Sequence, residues 1–153
     1  MFGKSVGQYL SFQKVFLIAI VVVFLVRLIL SLAGTPIATA KWVSVTAVLV
    51  LGTLYYGVAV HTRKFGSYKQ LYPLGLFQSL LAEGLVGAAV VVGILTGQDN
   101  IYTAPEFSGG VDGKNWGHVL GHVIVGAVVL PLMSWAISSL VLLVTKKAAP
   151  QSA

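Results

Sequence analysis

Apolar residues fall along the chain in four long runs separated by short polar stretches, without the two-residue alternation of a half-buried strand. The runs cover residues 15–32, 42–60, 73–95 and 119–144; Arg27 interrupts the first, Glu83 the third, and the fourth contains Pro131. A helix rises ~1.5 Å per residue, so about 20 residues cross a ~30 Å hydrocarbon layer and each run qualifies. A closed β-barrel is the other way to pair backbone groups in lipid, but residues 19–30 and 85–95 are apolar on both faces, which excludes it. The pattern predicts an all-α integral membrane four-helix bundle with antiparallel neighbours, one domain over residues 1–153. Pro131 predicts a bend in the fourth helix.

Composition supports the same class: 57% of the 153 residues are hydrophobic and 9% charged, where soluble domains carry about 25% charged residues. Absence of cysteine removes disulfides, iron–sulfur clusters and thiolate chemistry. The net charge of +6 is unevenly placed. Lys4, Lys14, Arg63, Lys64, Lys69, Lys146 and Lys147 fall on one side with no acid, while Lys41 and Lys114 share the other with Asp99, Glu106 and Asp112. The positive-inside rule then puts both termini in the cytoplasm, as expected for a bacterial inner-membrane protein. Basic charge used for topology leaves no case for a nucleic-acid partner. Ala38-Thr39-Ala40 resembles a signal-peptidase site, but the preceding run is longer than a signal core and carries Arg27, so the first span is expected to be retained.

The connections differ in kind. Residues 34–41 are few and include Pro36, which predicts adjacent first and second spans. The link 61–72 places Arg63, Lys64 and Lys69 at the lipid interface beside Phe65, Tyr68 and Tyr72. The outer loop, residues 96–117, is too long to be a plain connector and carries Tyr102, Phe107 and Trp116. It is expected to fold back over the mouth of the bundle.

Two groups of residues could carry chemistry. Arg27 and Glu83 are charges inside the apolar runs, each costing about 2.5–3.5 kcal/mol or more. Counted inward from residues 15 and 73 they reach similar depth, predicting a buried ion pair that fixes helix register, with proton or cation exchange at Glu83 as the functional alternative. Gln78, Ser79 or Tyr55 would line its path. His118 and His122, four residues apart, share a helix face at the spacing that chelates a divalent metal, with Glu106 and Asp112 as oxygen ligands from the loop. One of them could also hold a haem or a chlorophyll-like pigment axially; bis-histidine haem within one chain is excluded because His61 lies at the far end of the second span. Gly84, Gly87, Gly117 and Gly121, and Thr46, Thr53 and Gly57 on the second span, form small-residue stripes suited to close helix packing, and Ser134 and Ser138 could bond across helices near the Pro131 bend. No phosphate loop, nucleophile elbow or HExxH occurs.

The functional expectation is a small non-catalytic membrane protein acting by association, with itself or as an accessory subunit of a larger membrane complex, in contact with membrane lipids. The alternatives are a haem-, pigment- or metal-binding redox subunit using His122 and His118, and a small proton- or ion-coupled carrier centred on Glu83.

Overall fold

The computed structural model describes residues 1–149, and all regular secondary structure among them is helical. The first span is α1 (Val6–Leu32); a short α2 (Ile37–Ala40) leads into α3 (Val45–Thr62), and the third span is α4 (Tyr68–Thr96). The fourth runs through α5 (Trp116–Ile124), a π-helical turn over Val125–Val129, and α6 (Leu130–Ala148). All four are long and apolar enough to cross a membrane. The chain is a multi-pass membrane protein with a four-helix bundle.

Helix starts lie outside the apolar runs because polar caps set them. Ser5 Oγ accepts the Gln8 amide at 3.2 Å and Gln8 Oε1 accepts the Ser5 amide at 2.8 Å, a reciprocal cap that begins α1 nine residues before the first run. Ser67 and Gln70 form the same cap on α4, which leaves Pro73 inside the helix. On the fourth span Pro131 has no amide hydrogen, and Leu130 N–H donates five residues back to Val125. The expected bend is therefore a widened π turn.

Hydrophobic packing divides along the bundle. Tyr9, Tyr56, Leu71 and Leu142 fill the half nearer the termini, while Ile20, Phe24, Val90 and Ile101 fill the half nearer the long loop. Helices α3 and α6 touch backbone to backbone, since a Cβ on Gly57 would meet Val141 Cβ at 2.5 Å and the Ser138 carbonyl at 2.8 Å. Thr53 and Ser134 share a hydrogen bond of 2.9 Å across the same contact, and Ser138 Oγ donates back to the Ser134 carbonyl at 2.5 Å. Gln78 Nε2 donates to the Val48 and Leu49 carbonyls at 3.3 Å, tying α4 to α3.

Of the small-residue stripes, the one on the second span packs as expected through Thr53 and Gly57, whereas Gly84, Gly117 and Gly121 make no close helix contact within the chain. A Cβ on Gly84 or Gly121 would meet nothing within 4 Å, one on Gly87 only His122 Cβ at 3.8 Å, and one on Gly117 only its own cap residue, Asn115. Gly52, Gly75 and Gly126 make further close approaches that the spacing does not mark. Small-residue spacing alone does not say which face of a helix meets another.

The long loop tucks into the bundle. Gly97, at φ 72°, ends α4 in the left-handed region, and Asn100 then reaches back to donate from Nδ2 to the Ala89 carbonyl at 3.0 Å. That anchor buries Ile101, Tyr102 and Thr103 and stacks Tyr102 on Phe24 at 5.2 Å. At the opposite end of the bundle, Lys4, Arg63 and Lys146 lie over the rings of Phe65, Tyr55 and Tyr68 at 4.9, 5.4 and 4.5 Å. Lys64 holds the α3–α4 turn at φ 52°, and Lys69 sits in the first turn of α4.

Candidate functional site

Asn115 Oδ1 accepts the His118 amide at 2.8 Å and so fixes where α5 begins. From that start His118 and His122 stack one turn apart on the face toward α4, with their Nε2 atoms 3.0 Å from one another. His122 Nδ1 lies 2.6 Å from Glu83 Oε2 on α4, and His118 Nδ1 lies 3.0 Å from the Gly113 carbonyl. The four groups form one continuous hydrogen-bonded chain, Glu83 to His122 to His118 to Gly113. Gly113 is itself held by donating to the Thr103 carbonyl at 3.0 Å. A Cβ there would lie 2.6 Å from that oxygen.

Glu83 is seated by the π turn. Gly126 packs against it so closely that an added Cβ would stand 2.7 Å from Glu83 Cβ. The Glu83 and His122 side chains are 16% and 20% exposed, so both are shielded without being sealed. They form the wall between two spaces. On one side lies a cavity of about 160 Å³ inside the bundle, lined by Arg27, Thr46, Glu83, Tyr102, His118 and His122. On the other is an apolar groove of about 350 Å³ between α4 and α5, where Gly84 and Ala88 lie uncovered. A third cavity, of about 170 Å³, lies toward the termini; it shares Thr46 with the first and is lined by Ser79, Thr53, Gln78 and Ser134.

The expected Arg27–Glu83 ion pair does not form. With the caps at Ser5 and Ser67, Arg27 lies 21 residues into α1 and Glu83 only 15 into α4, about 32 and 23 Å from the helix starts. Arg27 is therefore nearer the loop end. Its guanidinium lies over the Phe107 and Tyr102 rings at 4.7 and 5.3 Å, and Nε is a buried donor without a partner. Glu83 takes His122 in its place. Burial pushes the Tyr102 phenol up to about 12, the Arg27 cation opposing the shift, so this ring stays uncharged at neutral pH.

The loop acids do not join the histidines. Asp112 accepts the Lys114 amide at 2.9 Å, which holds its carboxyl below the usual range, and Lys114 also pairs with Asp99, which raises the ammonium group. Glu106 lines a shallow pocket with Asp112 and Lys114. Among the described residues no three His, Asp or Glu side chains converge as metal ligands. The two Nε2 atoms bond to one another at 3.0 Å, so the expected two-histidine chelate would require that bond to open. An axial haem or chlorophyll-like pigment bond would have to displace one of these contacts, since every ring nitrogen of the two histidines is engaged. Tyr55, once a candidate for the path, packs with Phe16 and Arg63 instead.

The chain's chemistry follows from counting hydrogens. Three contacts need three hydrogens, whereas a carboxylate with two neutral imidazoles supplies two. One further proton completes the set, and it can stand in three places: on Glu83, on His122, or on His118. Each placement satisfies all three contacts and moves only hydrogens already between the partners. Imidazole and carboxylate groups are suited to this exchange near neutral pH. No protein family, curated protein or solved structure matches the chain.

Proposed function

We propose that the protein is a small proton-coupled membrane carrier whose working group is the Glu83–His122–His118 chain. The observation that carries this reading is the hydrogen-bonded series itself, running from mid-bundle to the loop end. Toward the termini, Ser79 lies one turn from Glu83 and opens on the cavity lined by Thr53, Gln78 and Ser134, which supplies polar groups for the rest of the crossing. Both termini lie in the cytoplasm of a bacterial inner membrane on this reading, in keeping with the basic, aromatic-backed end of the bundle. The proton then enters or leaves from the outer side at His118. Proteoliposomes with an internal pH dye, challenged with a panel of small solutes and anions, test it, since a coupled carrier moves its proton only with its substrate. Flux above that of empty vesicles is expected, and flux equal to theirs contradicts the reading.

Association with a second copy is a further reading, favoured by Gly84, which is open to the α4–α5 groove with nothing packed over it. Because the chain has no cysteine, Gly84→Cys gives a single reporter thiol. Oxidation in membranes should give a disulfide-linked dimer if this face pairs with itself; a product that stays monomeric contradicts the pairing.

A further inference from the structure

Arg27 is the charge that the proton chain does not use. It is 9% exposed, its Nε has no partner, and among the described residues it makes no ion pair or hydrogen bond. A guanidinium kept at that depth without a carboxylate is an unbalanced cation. It lines the same 160 Å³ cavity as Glu83, His118 and His122, with the Tyr102 ring as an apolar wall. We infer that this cavity binds a small monocarboxylate, held by the Arg27 fork and taken up together with one proton on the Glu83–His122–His118 chain. The inference rests on the proton-exchange reading and names the substrate class for it.

Charge and shape both select that class. With its shared proton the chain is neutral overall, so the cavity carries a net charge of +1 from Arg27, which one monoanion cancels. Without the proton, Glu83 as carboxylate already cancels Arg27, and an anion would enter a neutral site. Anion binding therefore draws a proton in. The other groups facing the site do not alter this count: Tyr102 stays neutral, α3 contributes only Val45 and Thr46, and the rest of the lining is Val86 and Phe107. Glu106, next to Phe107, is exposed and faces the neighbouring pocket, where Lys114 and Asp112 also lie. The planar guanidinium fork matches a carboxylate better than a spherical anion. The space of about 160 Å³ has room for an acid of about six non-hydrogen atoms.

Calorimetry of the purified full chain in lipid nanodiscs with sodium propionate, repeated in buffers of different ionisation enthalpy, reads binding and proton uptake together. At about 10 mM ligand even a Kd of ~1 mM gives near-complete occupancy. The expected result is saturable binding with uptake approaching one proton per anion at alkaline pH, weakened roughly 10- to 100-fold in Arg27→Gln. Arg27→Lys, which keeps the charge but loses the fork, should bind about tenfold less tightly than wild type and serves if the glutamine variant does not fold. No binding to a folded wild-type protein, or binding unchanged in both variants, overturns the site while leaving the proton flux of the preceding section to stand or fall separately. Equal affinity for chloride overturns the carboxylate class. Binding without proton uptake overturns the coupling, and with it the count of protons on the chain.

Discussion

Replacing Glu83 by glutamine is expected to lower proton flux in proteoliposomes by about 100-fold or more while leaving the bundle folded, since general acid–base groups contribute roughly 10²–10⁴ to a proton transfer. Glutamine fills the same space and can still hydrogen-bond His122 Nδ1, now 2.6 Å from Glu83 Oε2. What it cannot do is take or give the proton, so the chain loses its end member and only the two histidines can share a charge. A folded Glu83→Gln protein that conducts like wild type would remove Glu83 from the path. Packing loss is a poor alternative explanation for a deficit, because the carboxylate is bonded to His122 rather than to Arg27, and the guanidinium keeps its ring contacts in the variant.

The second large effect is expected at a residue that makes no hydrogen bond through a side chain. Gly126→Ala puts a Cβ 2.7 Å from Glu83 Cβ and 3.0 Å from its Cγ, within the π turn that presses against α4. Neither atom is the free end of a flexible side chain, so the backbone or the whole glutamate must shift. Overpacking of this kind costs about 1–3 kcal/mol. The larger consequence is positional: a carboxylate displaced by even an ångström leaves His122 Nδ1, and flux should fall toward that of Glu83→Gln. Gly121→Ala is the matched control on the neighbouring helix, where nothing lies within 4 Å of the added atom. Thermal melting and flux measured on both variants check the point. The Gly126 variant should lose on both counts and the Gly121 variant on neither; parallel behaviour of the two would show that the contact with Glu83 does not matter.

Much of the fold was legible because lipid leaves few solutions. Four apolar runs, a charge bias toward one end and a loop too rich in aromatics to be a tether lead directly to the bundle and its folded-back loop. Half of the site was legible too, since the four-residue spacing of His118 and His122 puts them on one face, and the membrane position of Glu83 marks it as costly and purposeful. The edges of the apolar runs do not mark where the helices begin, so depth counted from them pairs Glu83 with Arg27 rather than His122. Helix starts are set by capping chemistry, and the signals were in the chain: Ser5 followed three residues later by Gln8, and Ser67 by Gln70. Counted from those caps, Arg27 falls about 9 Å nearer the loop end than Glu83.

The remaining parts lack a local signature. Gly113 acts through its carbonyl, which any residue has, and its place depends on Thr103 and Asn100 folding the loop onto α4. Gly126 matters only because the turn before Pro131 widens and meets Glu83. Thr46 and Tyr102 line the cavity from elements distant in sequence. Such roles come from tertiary placement, and spacing along the chain does not encode them.

The account depends most on one shared proton in the chain from Glu83 to Gly113. Nitrogen-15 NMR of histidine-labelled protein in nanodiscs reads it directly, because a hydrogen held between His122 Nε2 and His118 Nε2 gives a coupling across the bond. The expected result is that coupling between the two rings of the folded protein. Two rings with no coupling, and so no hydrogen held between them, would contradict it.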